Sequence, residues 1–307
     1  MTENHHMYEK LIKLTSERNV MVNELLRNHT YTRLGGKADF YVVPETYEQV
    51  QEIIKLANQE AIAFTMLGNG SNLIVKDGGI RGIVLNLQKL SDISTDGNRL
   101  IAQSGARIID VSREALSQGL TGLEFACGIP GSVGGALFMN AGAYGGEIKD
   151  VLTSAVVANR EGEILTLTAE QLDLDYRTSN IPDNGYIVLE ATFTLRQGEH
   201  EAIKEIMDDL TNRRETKQPL EYPSCGSVFK RPPGYFAGKL IQDSDLQGKQ
   251  IGGAQVSLKH AGFIVNKDNA TAKEYIDLIH FVQSTVKQKF DVKLEREVKI
   301  IGEDLVK

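Results

Sequence analysis

Cysteine is scarce in this sequence: Cys127 and Cys225 are the only two among 307 residues. Two thiols close at most one bridge, so no disulfide framework is expected. Long apolar runs are missing as well. No stretch reaches the roughly 18 apolar residues that a spanning helix needs, and the nearest approach, residues 128–147, is broken by Pro130 and by glycines. The opening MTENHHMYEK has no apolar core of the kind that marks a secretory leader. Positive charge is in deficit, with 34 Lys and Arg against 41 Asp and Glu, a net charge of −7 and a pI of about 5.5. That balance argues against a general nucleic-acid or anionic-membrane surface, while leaving room for one local basic pocket. The six histidines form no H-x₃-H or Cys-paired ligand set, so no metal site is expected, and His260 reads as structural. With 41% apolar and 24% charged residues, the chain reads as an ordinary globular protein with enough length for a sizeable core. The expected setting is the cytoplasm.

Glycine, by contrast, is concentrated. GIPGSVGGALFMNAGAYGGE, residues 128–147, holds seven glycines. Each costs about 0.5–1 kcal/mol in a helix or strand interior relative to alanine. A second glycine loop, GNGSN at 68–72, follows the apolar run AIAFTML. Neither continues as G-K-[ST], so neither is a Walker A loop. Gly68-Asn69-Gly70 begins like a dinucleotide fingerprint, but Leu73 holds the third glycine position and the β-rich LIV follows where a helix is required. A Rossmann site is therefore excluded. Backbone amides in glycine turns still make anion-binding nests, and two of them suit a diphosphate gripped from both sides. The alternative is that these glycines only form turns and admit close strand packing.

The chain's organisation is α+β. Residues 7–27 place Leu11, Leu14, Val22, Leu25 and Leu26 at roughly helical spacing, and residues 1–32 are expected to form a helical N-terminal segment. TYEQVQEIIKLANQEA (46–61) predicts an amphipathic helix with Thr46 as N-cap. LIVKDGGIRGIVLNL predicts two short strands about a Gly-Gly turn, and RLIAQSGARI a strand. Residues 106–119 predict a helix ending at Gly119, and VLTSAVVA with EILTLT a hairpin. Residues 33–198 thus read as one unit in two lobes, about 33–85 and 86–198. A charged helix over 199–215, with Ile203, Ile206, Met207 and Leu210 on one face, leads into a second domain at 199–307. That domain has a helix from about Thr271 to Phe290. It closes on Val292, Leu294, Val298 and Ile300 alternating with Lys293, Glu295, Glu297 and Lys299, which predicts a half-buried strand.

Seven stretches taken together resemble one family. NHTYTRLGGKADFYVVP, GNGSNLIV, GIPGSVGGALFMNAGAYGGE, YRTSNIP, SCGSVFKRP, GAQVSLKHAGFIVN and LEREVKIIG follow one another over about residues 28–302. In that order they look like the UDP-N-acetylenolpyruvoylglucosamine reductase family. The absence of an inserted loop before the C-terminal domain resembles its shorter, type II variant. The resemblance implies an FAD-binding domain of the vanillyl-alcohol-oxidase (p-cresol methylhydroxylase) type in two lobes, plus a C-terminal α+β substrate-binding domain. It implies non-covalent FAD, NADPH as co-substrate, and reduction of UDP-N-acetylenolpyruvoylglucosamine to UDP-N-acetylmuramate for peptidoglycan. No separate NADPH domain is visible, and the resemblance has NADPH and the UDP-sugar use one cleft in turn. The expected partners are these small molecules, with no nucleic acid and no membrane, and the expected state is a monomer.

The same resemblance assigns residues. Gly68, Asn69, Gly70, Ser71 and Asn72 in the first loop would contact the cofactor. So would Gly128, Gly131, Ser132, Gly134, Gly135, Asn140, Gly142 and Ala143 in the second. Ser227 matches the family's proton donor, Arg177 the arginine that stabilises a developing carboxylate charge, and Glu297 the catalytic glutamate. From the residues alone, Glu295 and Glu297 share one strand face and are not separable. Lys217 and Lys230, with Tyr176 or Tyr222 nearby, are expected to meet the UDP diphosphate. Two positions depart from the family's usual pattern: Arg231 follows Lys230 where asparagine is common, and Ser224-Cys225 stands where Asn-Ala is common. Cys225 reads as a packed thiol, or else as an oxidation or alkylation site. Two other functions fit part of the pattern: a flavin oxidase of the same fold, and a non-catalytic nucleotide-sugar binding protein.

Overall fold

A computed structural model describes residues 3–306. The chain divides into two compact units that are not collinear with the sequence. Of the described residues, the larger takes 3–23, 39–69 and 82–213, and the smaller takes 24–38, 70–81 and 214–306. No helix among the described residues is long and apolar enough to cross a membrane.

The larger unit has two cores. One gathers Phe40, Val42, Val50, Ile53, Ile54, Ile83 and Leu85. Its helix Tyr47–Gln59 forms where the 3.6-residue spacing of Val50, Ile53, Ile54 and Ala57 predicts it, and the Thr46 hydroxyl accepts from the Gln49 amide at 3.2 Å. Each such fully buried branched side chain contributes about 1.5–3 kcal/mol. The other core lies on a five-stranded antiparallel sheet made by Ile164–Thr168, Leu152–Ala158, Ile187–Thr194, Arg99–Gln103 and Ile93–Asp96, in that order. The predicted hairpin is there, with Ala155 opposite Leu167. The helix Ile108–Ser117 ends as expected before Gly119, whose φ is +65°. The short helix Val133–Phe138 starts at Ser132, whose hydroxyl accepts from the Gly135 amide.

The N-terminal helix ends earlier than expected. It covers Glu3–Leu14, and Val20–Leu25 is a strand. The Val43 amide donates to the Asn19 carbonyl at 2.9 Å and the Lys89 ammonium to the Asn19 side chain at 2.7 Å. Those bonds fix an extended entry, while Val22 and Leu25 end up exposed. The charged helix spans His200–Lys217 and runs through residue 213 as part of the larger unit. Ile203, Met207 and Leu210 are buried on it and Ile206 is exposed, so the apolar stripe is narrower than the sequence suggested.

The smaller unit is built on a four-stranded antiparallel sheet of Ser224–Ser227, Phe263–Asn266, Ala254–Val256 and Gln250–Ile251, in that order. The helix Ala272–Phe290 carries a Thr271/Glu274 capping box, and its first amides, Ala272 and Lys273, also donate to the Asp77 carboxylate at 2.8 and 2.9 Å. The strands about the Gly-Gly turn do not pair with each other. Leu73–Val75 pairs in parallel with Lys299–Ile301, whereas Ile80–Leu85 belongs to a different sheet. The closing strand is correspondingly shorter than the alternation predicted. Leu294 and Val298 are buried as expected, but the ladder covers only Lys299–Ile301, because residues 295–298 bend about Val228.

Candidate active site

The two glycine loops, sixty residues apart in sequence, meet. Asn69 donates its side-chain amide to the Pro130 carbonyl at 3.3 Å, and a Cβ placed on Gly68 would lie 3.0 Å from the Ser132 hydroxyl. Asn86, which the sequence reading passed over, shapes the first turn: its amide donates to the carbonyls of Leu67 at 2.9 Å and Gly68 at 3.1 Å. Its only sequence signal is an asparagine between leucines in VLNL.

Close approach explains several of these glycines within the protein itself. A Cβ on Gly134 would sit 2.1 Å from the Ser104 hydroxyl, one on Gly142 2.7 Å from the Gly146 carbonyl, and one on Gly146 2.7 Å from the Phe125 ring. Gly70 combines a φ of +63° with a Cβ position 2.3 Å from the His29 carbonyl. The amides of Val133 and Gly134 donate to the carbonyls of Ala106 and Ser104. Ala143 and Gly146 pair across the two-residue turn Tyr144-Gly145, which has positive φ at both positions. Gly68 and Gly135 have more room, each meeting only the Ser132 hydroxyl. The stretches 68–75 and 128–146 contain no charged residue, so nothing in them repels an anion, and Gly68, Asn69, Ser132 and Gly135 are the residues there that would hold a dinucleotide's pyrophosphate.

Arg177 lies in a tight turn of the larger unit. The Asp175 and Thr178 backbones exchange two hydrogen bonds of 3.1 Å, and Arg177 between them has a φ of +55°, a left-handed conformation costly for a residue with a side chain. Its guanidinium donates to the Gly142 carbonyl at 2.8 Å and stands 5.1 Å from the ring centroid of Tyr176, which is itself exposed.

Ser227 and Glu297 come together in the smaller unit. The strand Ser224–Ser227 is bulged: its register against Phe263–Asn266 shifts between Ser224 and Ser227, and Gly226 takes a φ of +74°. The carbonyl of Val228, next to the serine, accepts from the amides of Glu297 at 2.9 Å and Val298 at 3.4 Å. Asn72 joins this group, since its side chain donates to the Glu297 carbonyl at 3.5 Å and its carbonyl accepts from the Lys299 amide at 3.1 Å. Glu295 joins the same segment, since its carbonyl accepts from the Lys230 amide at 2.9 Å. Glu295 pairs with the ammonium of Lys230 at 2.6 Å, and that contact holds its carboxyl below the usual range. Lys217 ends the helix His200–Lys217, and Tyr222 is exposed in the segment before the bulged strand. Cys225 is a packed thiol: it is buried, its sulfur lies 3.3 Å from the Tyr275 hydroxyl, and burial pushes its pKa up to about 11. Tyr275, also unremarked in the sequence, bonds the Ile264 carbonyl of the neighbouring strand.

A two-lobed α+β unit with paired glycine turns, and a second unit presenting a serine beside a glutamate, define a flavin-dependent oxidoreductase with its own substrate domain. Residues 38–168 match the FAD binding domain family, and residues 218–301 match the UDP-N-acetylenolpyruvoylglucosamine reductase C-terminal domain. The UDP-N-acetylenolpyruvoylglucosamine reductase of Oceanobacillus iheyensis is 74% identical over 306 residues, covering 100% of both chains. That of Geobacillus kaustophilus is 62% identical over 304 residues, 99% of this chain and 100% of the relative. The solved UDP-N-acetylenolpyruvylglucosamine reductase of Thermus caldophilus superposes with a TM-score of 0.79 at 33% identity, over 90% of this chain and 97% of that one. Phl p 4.0202, a glucose dehydrogenase, is 13% identical with a TM-score of 0.50 over 63% of this chain and 44% of its own, a likeness of fold alone. The chain belongs to the UDP-N-acetylenolpyruvoylglucosamine reductase family.

Proposed function

We propose that Ser227, Arg177 and Glu297 carry out the protein's part of the reduction of UDP-N-acetylenolpyruvoylglucosamine to UDP-N-acetylmuramate. The enzyme is an FAD-dependent oxidoreductase of peptidoglycan precursor synthesis that uses NADPH. When bound, the flavin supplies hydride transfer from NADPH to the enolpyruvyl methylene carbon. Negative charge then develops on the adjacent carbon and its carboxylate. Arg177 offers that planar carboxylate a guanidinium fork. The Ser227 hydroxyl donates the proton that completes the new C–H bond, and Glu297 orients the arginine or a water, or helps to polarise the intermediate. Gly68, Asn69, Ser132 and Gly135 hold the cofactor, and Lys217, Lys230 and Tyr176 meet the UDP diphosphate. The enzyme works as a cytoplasmic monomer.

The observation that carries this reading is the bulge at Gly226, which ends its strand on Ser227 with Glu297 bonded to the next residue. Rapid-mixing measurement of the two half-reactions in Ser227→Ala tests it. Reduction by NADPH should stay near the wild-type rate, while turnover of the enolpyruvyl substrate should fall by about 10²–10⁴-fold, the usual worth of a positioned general acid. Unchanged turnover would remove Ser227 from the reaction.

A further inference from the structure

We propose that Asn140 is a positioning residue for Arg177, tying the arginine's turn to the glycine-rich loop. The inference deepens the reading above and rests on the role of Arg177 in it. Asn140 is fully buried and takes a φ of +43°. Both donor directions of its side-chain amide are used: Nδ2 donates to Glu147 Oε2 at 2.8 Å and to the Asp175 carbonyl at 3.0 Å. Its Oδ1 accepts from the Lys149 amide at 2.9 Å. No amide proton is left for a cofactor, so the expected contact of Asn140 with FAD reduces to the backbone that it shapes.

The Asp175 carbonyl that Asn140 holds is the one that also accepts from Thr178 to close the Tyr176-Arg177 turn. The far side of the turn is tied to the same loop, since the Ser179 hydroxyl donates to the Phe138 carbonyl at 2.7 Å. The guanidinium donates to Gly142, two residues beyond Asn140. Lys149 adds charge to the frame: its ammonium lies 2.8 Å from the Glu147 carboxylate and 4.0 Å from that of Asp175. A left-handed arginine persists only where its surroundings over-determine it. Here the surroundings are residues 138–149, with Asn140 at their buried centre.

The test uses holoenzyme carrying Asn140→Gly, which accepts the left-handed backbone, and Asn140→Asp, which keeps the size but loses both donors and faces Glu147 with like charge. Both should retain stoichiometric FAD and unchanged FAD affinity, and NADPH should reduce them within about twofold of wild type. Reoxidation by the enolpyruvyl substrate should fall by about tenfold to a hundredfold, as for a small displacement of a catalytic group. In an Arg177→Ala background, Asn140→Gly should add less than about twofold, because the group it positions is gone. Weakened FAD binding with normal reoxidation would overturn the proposal and return Asn140 to the cofactor. Losses that multiply in the double variant would overturn it too. If Arg177→Ala itself reoxidises normally, the underlying reading fails; if it is slow and Asn140→Gly is not, only this proposal fails. Should neither Asn140 variant fold, Ser179→Ala cuts the turn's other tie: slowed reoxidation with FAD intact supports the frame, and wild-type kinetics refute it.

Discussion

The Glu297 amide donates to the Val228 carbonyl at 2.9 Å, which sets this glutamate beside Ser227, while Glu295 two residues earlier is held by Lys230. The two carboxylates should therefore behave differently. Glu297→Gln is expected to lower kcat by about 10²-fold or more, the scale of a lost charge-stabilising or proton-handling group. Glu295→Gln removes an ion pair whose carboxylate is largely exposed, so kcat should stay within about threefold. Steady-state kinetics on both variants decide it, and equal losses would contradict the assignment.

Gly226 is needed for its conformation. Its φ is +74°, and a Cβ there would meet nothing within 4 Å. Gly226→Ala should fold, with a stability loss of about 1–2 kcal/mol from the left-handed backbone. With Ser227 as the proposed proton donor, kcat should fall more than the stability change alone would suggest. Urea unfolding alongside half-reaction kinetics checks both; full activity would show that the bulge does not aim the serine.

Gly134 is needed for space, and the obstacle is one atom. Its added Cβ would lie 2.1 Å from the Ser104 hydroxyl and 3.4 Å from the Ser104 Cβ. Gly134→Ala should therefore destabilise by about 1–3 kcal/mol, as overpacking does. Ser104→Ala in the same chain should recover most of that loss. A thermal-denaturation cycle measures the coupling, and simple additivity would place the clash elsewhere.

The Cys225 thiol gives a pH signature. Its folded pKa is raised to about 11 from an ordinary value near 9, chiefly by burial. Its contribution to stability is thus present in full below pH 9 and lost as pH rises through about 11. Wild type should lose stability over that window more steeply than Cys225→Ala, and Cys225 should resist alkylation in the native state at pH 8. Parallel slopes would contradict the burial of the thiol.

Much of this was readable from residue spacing. The helix Tyr47–Gln59, the hairpin about Asn159–Gly162 and the capped helix after Thr271 each carry a local period and a local stop signal. The stretch 7–27 does not, because Leu11, Leu25 and Leu26 satisfy a helical period while the Asn19 bonds to Val43 and Lys89 decide for a strand. Similarly, alternation could not separate Glu295 from Glu297; what marks Glu295 is its ion pair with Lys230, 65 residues away in sequence. The glycine loops announced a site, but Gly134, Gly142 and Gly146 are there for Ser104, the loop's own backbone and Phe125. Asn86, Asn140 and Tyr275 act through partners that only the fold supplies.

This chain binds a flavin and passes electrons from NADPH to an enolpyruvyl UDP-sugar. The visible absorption spectrum of the purified protein tests it most directly. The protein should be yellow, should bleach when NADPH is added anaerobically, and should regain its colour when UDP-N-acetylenolpyruvoylglucosamine follows. A folded, colourless protein that takes up no added FAD, or a bleached one that the UDP-sugar fails to reoxidise, would contradict it.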